Sequence, residues 1–530
     1  MKKIQNLLST YGGTLLLCGI VLVVSCTKEF DDINTNKNAL AKLETSQLPF
    51  LFSKAQSTAT NNGWNYQIAQ NLFHDQYCQY FANTTTYFPS DRLVIRMDWI
   101  RAAWNPIYSE VVPQLQTLLA QYDPASAEYS IAQVMWVYTF HRLTDTWGAV
   151  PYFNVGKSEK SIPYDAQDLI YDDLLKRLAA AITVLNGKTS ETPYGSFDLI
   201  YSGNVSKWIK FANTLRLRLA VRISKADPAR AKTEGEAAAT GGLLAVSPDD
   251  DALIFRTLKG DDFNGLTVMD WNEFRMSSTM ESVLKGYSDP RIGVYFSPSV
   301  GTGDYEGLRN GLSSADMAVT LNKADNNSNK GPRWDKSKPG TMETPSNVMA
   351  TAEAWFLRAE GVLLGWNMGG GTAETYYNNG ITESMHQWGI TSAPAITAYI
   401  NSANTPIAPG DAQNSPAVST APIKYRTTGT LAEQQEQITI QKWLALFPEG
   451  VEAWADIRRS RAFKLYPIVQ SDNTDLPTFA DNKTPTNNWI RRIPFLADEK
   501  VTNGAAVDAA VPLLGEGGDK ITTKLWWDKN

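Results

Sequence analysis

Apolar residues spaced three or four apart recur through much of this chain, and that spacing restricts it to a largely helical fold. Trp104, Ile107, Val111, Leu115 and Leu118 form one series, and Ile131, Met135 and Tyr138 continue in a second, with the Asp123-Pro124 turn between them. Asp165, three residues before Asp168, reads as an N-cap for the series Ile170, Leu174, Leu178, Ile182 and Leu185. Trp208, Phe211, Leu215, Leu219 and Ile223 make a further series, closed at Asp227-Pro228. These helices arrive in pairs on short connections, at roughly the 34-residue interval of tetratricopeptide-type repeats. No repeat aligns residue by residue, so a plain helical bundle satisfies the periodicity as well.

The 530 residues are 43% hydrophobic and 20% charged, enough for a large core and incompatible with wholesale disorder. Between about 241 and 345 the texture changes to Gly, Asp, Asn, Ser and Pro with scattered aromatics, as in Gly260-Asp261-Asp262-Phe263-Asn264-Gly265. Helical spacing returns in Ala352 to Trp366 and in Tyr376 to Trp388, pauses in a second polar stretch at about 393–430, and resumes from Leu431 through Arg461. The body is therefore expected to be one unit over 43–530, with its scaffold mostly in 43–240 and 346–461. Long loops inside a compact protein usually carry function, so the working surface is expected in the two loop-rich stretches.

The first 25 residues read as a targeting segment. Lys2-Lys3 precedes a ten-residue apolar run from Leu15 to Val24, half of what a membrane-spanning helix needs. Val23-Val24-Ser25-Cys26 resembles the lipobox of bacterial lipoproteins, which predicts cleavage before Cys26, acylation of Cys26 and a polar tether over 26–42. Removing residues 1–25 takes away two lysines and no acids, so the formal charge of −6 becomes −8. That balance, with no basic run beyond Arg491-Arg492, excludes a nucleic-acid footprint. Cys18 leaves with the leader and Cys26 carries lipid, so Cys78 alone remains and neither a disulfide nor a cysteine-based metal site can form.

Catalytic and metal motifs are scarce. The three histidines, His74, His141 and His386, share no local ligand spacing, and His74-Asp75 reads better as a packed imidazole than as a base. Asp249-Asp250-Asp251 and Asp261-Asp262 supply carboxylates without a scaffold that fixes their separation, and no EF-hand pattern surrounds them. Gly369-Gly370-Gly371 lacks the strand-then-helix setting of a nucleotide site and reads as a helix breaker. Arg218 and Arg222 share one side of a helix, where Glu353 or Glu360 are candidate partners; phosphate capture is the sharper alternative. No cofactor or metal site is assigned.

Several ordered segments together resemble the SusD/RagB family of outer-membrane nutrient-binding lipoproteins, in particular its SusD-like subgroup with an Asn-rich leader. They are Phe30 to Asn36, Leu143-Thr144-Asp145-Thr146-Trp147-Gly148-Ala149-Val150-Pro151-Tyr152, and Trp208 with Phe211 to Ala220. Further along come Asp289-Pro290-Arg291, Ala352-Glu353-Ala354 with Arg358-Ala359-Glu360, Gln441-Lys442-Trp443 through Glu452 to Arg459, and Arg491-Arg492-Ile493-Pro494. Lys37 and Phe495 depart from the family pattern. The resemblance covers essentially the whole mature chain. It implies a mainly α, superhelical scaffold of four tetratricopeptide-like helix pairs with an irregular ligand-binding half. It also implies a lipid-anchored protein facing the cell exterior, partnered with a SusC-like TonB-dependent outer-membrane transporter and binding glycans or, in some members, peptides.

A glycan site needs aromatic planes for sugar C–H faces and amides or carboxylates for hydroxyls. Three loop segments have that composition: Asn61-Asn62-Gly63-Trp64-Asn65-Tyr66, Asp270-Trp271-Asn272, and Arg333-Trp334-Asp335. The expected ligand residues are accordingly Trp64, Asn65, Tyr66, Asp270, Trp271, Asn272 and Trp334, against the alternative that each Trp folds inward to anchor its own loop. The expected function is non-enzymatic oligosaccharide capture, with peptide capture or surface glycoside hydrolysis as competing readings.

Overall fold

The computed structural model describes residues 44–60, 65–157, 161–255, 271–334, 344–474, 476 and 490–529. The leader, Cys26 and the tether lie outside them, as do Trp64, Asp261, Asp262, Asp270 and Asp335. Two units are distinguished, Met1–Leu48 and Pro49–Asn530. The described part of the first is a single 3-10 turn, Thr45–Gln47, with a reciprocal cap between Glu44 and Gln47.

The second unit is mostly helical. After α1 (Leu48–Ala59), a π-helical segment Gln67–Asp75 leads into the short strand β1 (Phe81–Asn83). Helix α2 (Met97–Pro106) passes into a second π-helical stretch, Ile107–Val111, and then α3 (Val112–Gln121). Pro106 has no N–H to offer the Ala102 carbonyl, and the wider winding follows directly after it. Four pairs of consecutive helices then form the scaffold. They are α4 (Ala127–Trp147) with α5 (Gln167–Leu185), and α6 (Val205–Arg222) with α7 (Pro228–Gly241). After strands β2 (Ala252–Ile254) and β3 (Phe274–Met276), helix α8 (Ser278–Gly286) and strand β4 (Ser346–Met349) come the other two pairs. These are α9 (Thr351–Leu363) with α10 (Ala373–Gln387), and, after the short α11 (Ala393–Ile400), α12 (Leu431–Leu446) with α13 (Gly450–Ser460). Helix α14 (Ala497–Thr502) lies near the C-terminus. The only sheets among the described residues are two antiparallel pairs, β1 with β3 and β2 with β4.

Local signals explain several helix boundaries, and one expected cap is used elsewhere. Ser126 caps α4 by accepting from Tyr129, and Gly148, at φ 84°, closes it by donating its N–H to the Thr144 carbonyl. Asp165 does not cap α5, whose N-cap is Ala166. Its carboxylate instead accepts from the Tyr152 and Phe153 N–H groups at 2.9 and 2.8 Å, because Val150 and Asp165 are bridged and the corner's own donors are nearer. Asp227-Pro228 opens a helix as much as it closes one: Asp227 accepts from Arg230 and Pro228 is the first residue of α7. The polar pause after residue 393 contains α11, started by Pro394 in its first turn.

The helix pairs meet around buried charges. Arg218 of α6 donates twice to Glu353 of α9, at 2.7 and 2.6 Å, and Arg222 pairs with Glu452 of α13 and, at 3.3 Å, with Asp145 of α4. Burial opposes the charge on both guanidiniums, yet these carboxylates raise their pKa above the usual arginine range. A second knot joins Glu360 of α9 to Lys442 of α12 and Arg459 of α13, with Asp456 shared by both cations. The predicted partnership of Arg218 with Glu353 is therefore met, while Arg222 finds Glu452 and Asp145. The Asp145 carboxylate also accepts from Tyr171 and from the Trp527 indole, both at 2.7 Å, which makes the corner after α4 a junction for distant segments.

Removing one member of such a network strands its partner in the interior. Glu353→Ala leaves the Arg218 charge buried and is expected to destabilise the protein by about 3–5 kcal/mol. Urea unfolding of the variant against the native chain measures this, and a loss below about 1 kcal/mol contradicts the assignment.

Candidate ligand-binding site

The site is organised by the pairing of β1 with β3, which aligns Phe81 with Met276, Ala82 with Arg275 and Asn83 with Phe274. The pairing continues past the strand ends. Thr84 N–H donates to the Glu273 carbonyl at 2.9 Å, and Thr84 Oγ1 donates to the Asn272 carbonyl at 2.5 Å. Asn272 adopts φ 62°, a left-handed conformation that Asn tolerates better than most residues, and its side chain accepts from Arg275 at 2.9 Å. From the other side, Gln67 Nε2 donates to Glu273 Oε2 at 2.6 Å. The segment beginning at Asn65 is thereby brought to the segment beginning at Trp271. Two of the three segments singled out by composition meet in space.

Their side chains differ in what they offer. Asn65 and Asn272 are exposed, and Trp271 is 43% exposed. Tyr66 is only 7% exposed and donates its hydroxyl inward to Asp75 Oδ2 at 2.6 Å. Gln70 and Asn71 also donate to Asp75, and Gln70 reaches the Pro448 carbonyl, so Tyr66 anchors the π-helical segment to the body. Trp334 is 1% exposed, packed 5.5 Å from Trp388 and 6.1 Å from Phe447. It takes the inward alternative: the first turn at Pro332–Trp334 sets the indole into the core rather than into solvent.

Two aromatics that composition did not single out complete the surface. Tyr87 is 69% exposed, and its ring lies 6.0 Å from half-buried Trp99 at the start of α2. Phe88 packs beneath them, 5.6 Å from Trp99 and 5.5 Å from Phe274 of β3, which ties this pair to the strand that follows Trp271 by three residues. The loop is stiffened from below. Asn83 donates to the Phe88 carbonyl, Arg92 donates to the Thr86 carbonyl, and Arg92 also pairs with Asp472 at 2.6 Å. Arg96 lies 4.4 Å above the Trp99 ring while binding Asp98 with two hydrogen bonds. The available signal for Tyr87 was the polar run Thr84-Thr85-Thr86 before it; Trp99 precedes the helical series that begins at Trp104 and carries no loop signal of its own.

The remaining candidates are structural. His74 Nε2 contacts the Thr146 hydroxyl, its ring lies 5.4 Å from Trp454, and burial with Arg142 and Arg458 nearby lowers its pKa well below the histidine range. Asp250 is held by Lys210 and by the Ala245 and Val246 N–H groups, and Asp251 by Ser247 and Thr351. Among the described residues no group of three or more His, Cys, Asp or Glu side chains has metal-binding geometry, and no helix is long and apolar enough to cross a membrane.

Comparison with known proteins agrees with this architecture. The model of the SusD-like family, described as Susd and RagB outer membrane lipoprotein, matches residues 31–528. The chain belongs to this family. It is similar to a solved chitin-binding SusD homologue from Flavobacterium johnsoniae, at 31% identity and a TM-score of 0.82, covering 91% of this chain and 99% of that one. A SusD homologue from Bacteroides vulgatus is 30% identical with a TM-score of 0.81, covering 92% and 98% of the two chains. A further solved chitin-binding protein is 27% identical with a TM-score of 0.73, covering 91% and 100%. Among curated proteins no relative matches the chain.

Asp75 provides a pH test of the anchoring beneath the site. Burial pushes its carboxyl up to about 7, against the hydrogen bonds from Tyr66 and Gln70 that favour ionisation. The folded state therefore keeps a proton that the unfolded chain loses near pH 4, and this group's contribution to stability falls as pH rises from about 4 to 7. Asp75→Asn is expected to remove that fall, so that its stability relative to the native chain climbs across the same window by on the order of 1 kcal/mol per pH unit. Urea midpoints recorded at several pH values decide it: parallel profiles contradict the assignment.

Proposed function

We propose that this protein is a non-enzymatic, lipid-anchored binder that captures oligosaccharide at the outer face of the outer membrane and passes it to a SusC-like TonB-dependent transporter. The observation that carries the reading is the pair of solvent-facing rings, Tyr87 and Trp271, with half-buried Trp99 beside Tyr87 and the amides of Asn65, Gln67 and Asn272 next to Trp271 on a braced framework. Ring planes take sugar C–H faces, and side-chain amides both donate to and accept from hydroxyls. Expected acylation at Cys26 supplies the tether, and membership in a family of outer-membrane lipoproteins supports that location.

A catalytic role finds little support in the carboxylates nearby. Asp98 is occupied by Arg96, and Glu273 accepts from Gln67. Binding needs neither group as an acid or base. The similarity over nearly full length to a chitin-binding homologue makes oligomers of N-acetylglucosamine the first ligands to try.

Titration calorimetry with chitooligosaccharides tests the reading. Tyr87→Ala and Trp271→Ala are each expected to weaken binding by about 1 kcal/mol, roughly fivefold, with an unchanged melting temperature. Undiminished affinity in both variants removes this surface from the site. Heat from peptides but not from any glycan favours the peptide reading, and shortened sugars on chromatography after incubation favour the hydrolase.

A further inference from the structure

A cavity lies against α2 and α3, and no residue of β1 or β3 lines it among the described residues. It has a volume of about 310 Å³ and is built from three separate stretches of chain. One wall is Trp104, Tyr108, Val112 and Pro113, from α2 through the π-helical stretch into α3; Gln116 and Glu499 supply polar edges. The opposite wall is the extended segment after the Gly148 corner. That volume is at the lower end of the range for small-ligand pockets, and an apolar, aromatic lining with few polar groups is their usual composition.

The polar groups of this cavity divide into those already committed and those left over. Tyr108 donates its hydroxyl to the Pro151 carbonyl at 2.9 Å, and Gln116 donates its amide N–H to the Val155 carbonyl at 2.7 Å. Asn503 spends its amide on both sides, donating to the Ile162 carbonyl and, at 3.5 Å, to Glu499 Oε2, and accepting from Ser161 and the Ile162 N–H. These bonds fix the walls. Glu499 accepts from Tyr164 through Oε2 at 2.9 Å, and among the described residues its Oε1 receives no hydrogen bond and its carboxylate has no ion pair. The Gln116 Oε1 likewise has no donor among the described residues. Both leftover atoms are acceptors.

Among the described residues no lysine or arginine lines the cavity. Among the described residues, the cations next to its lining in sequence are engaged with other partners: Arg101 with Asp498, Lys500 with Asp519, and Lys157 with Asn154. A half-buried carboxylate beside indole and phenol rings, with acceptors and no donors on offer, favours a cation over a neutral or anionic guest. The stretch of apolar wall from Tyr108 to Pro113 suits an aliphatic stem leading to that cation. We propose that this cavity binds a guanidinium or alkylammonium group carried on an apolar stem, with the charge at Glu499 and the stem against Trp104, Tyr108 and Pro113. The group can come from a small amine in solution or from an arginine or lysine side chain of a partner polypeptide; the chemistry is shared.

Calorimetric titration of the purified full-length protein with N-butylguanidinium, and with butan-1-ol as the neutral control, tests this. The guanidinium is expected to bind and the alcohol to bind at least about tenfold more weakly, as the loss of a charge-assisted pair requires. Glu499→Gln keeps an acceptor for Tyr164 and is expected to lose the same factor for the guanidinium. Val112→Phe, which fills the cavity, is expected to abolish binding while leaving glycan affinity at the loop site unchanged. Equal guanidinium affinity in native and Glu499→Gln proteins, or no difference between guanidinium and alcohol, overturns the proposal. Repeating the titration with a pentapeptide centred on arginine separates the sources: tighter capture of the peptide assigns the group to a partner chain, and weaker capture to a small solute.

Discussion

The fold depends on charges buried where its helix pairs converge. Arg218 and Arg222 of α6 reach carboxylates on α4, α9 and α13, and Glu360, Lys442, Asp456 and Arg459 knot α9 to α12 and α13. Buried ion pairs are poor sources of net stability, because desolvation consumes most of the Coulombic gain. Their effect here is on arrangement. An apolar face accepts many neighbours, whereas a buried guanidinium accepts only a position with its carboxylates in place, so these pairs select one packing of the helices among several that hydrophobic burial alone would permit.

That scaffold matters to function because it holds irregular chain in place. The candidate site lies on short strands and loops, which have little internal stability. It is braced by side chains from the body: Arg92 and Asn83 under the 84–88 loop, Asp75 under Tyr66, and Gln67 against Glu273. Rings held this way lose little freedom when a ligand arrives, which reduces the cost of binding. His74, Asp250 and Asp251 are engaged within the body, His74 with Thr146, Asp250 with Lys210, and Asp251 with Ser247 and Thr351.

Much of the site was legible as composition and little of it as geometry. Asn65, Trp271 and Asn272 were recognisable because an aromatic among amides in a loop is an unusual combination, and they do lie exposed. Tyr66 and Trp334 carry the same local signal yet turn inward, one to Asp75 and the other to Trp388 and Phe447. Tyr87 follows a run of threonines with no amide or carboxylate beside it in sequence, and Trp99 lies in the first turn of a helix. The Asp165 carboxylate shows the same ambiguity at a helix start: a capping residue goes to whichever unpaired donors lie closest, and here those belong to a corner twelve residues earlier.

By itself the sequence determined the helical class, most of the long helices and the family, because helical periodicity, capping and turn chemistry act over a few residues and leave a trace in any short window. The tertiary structure alone decided which aromatics face solvent and which segments form one surface. Gln67 and Glu273 stand 206 positions apart, and no local rule relates them. Whether a ring is a platform or a core residue depends on what packs behind it, and that is supplied by chain far away in sequence.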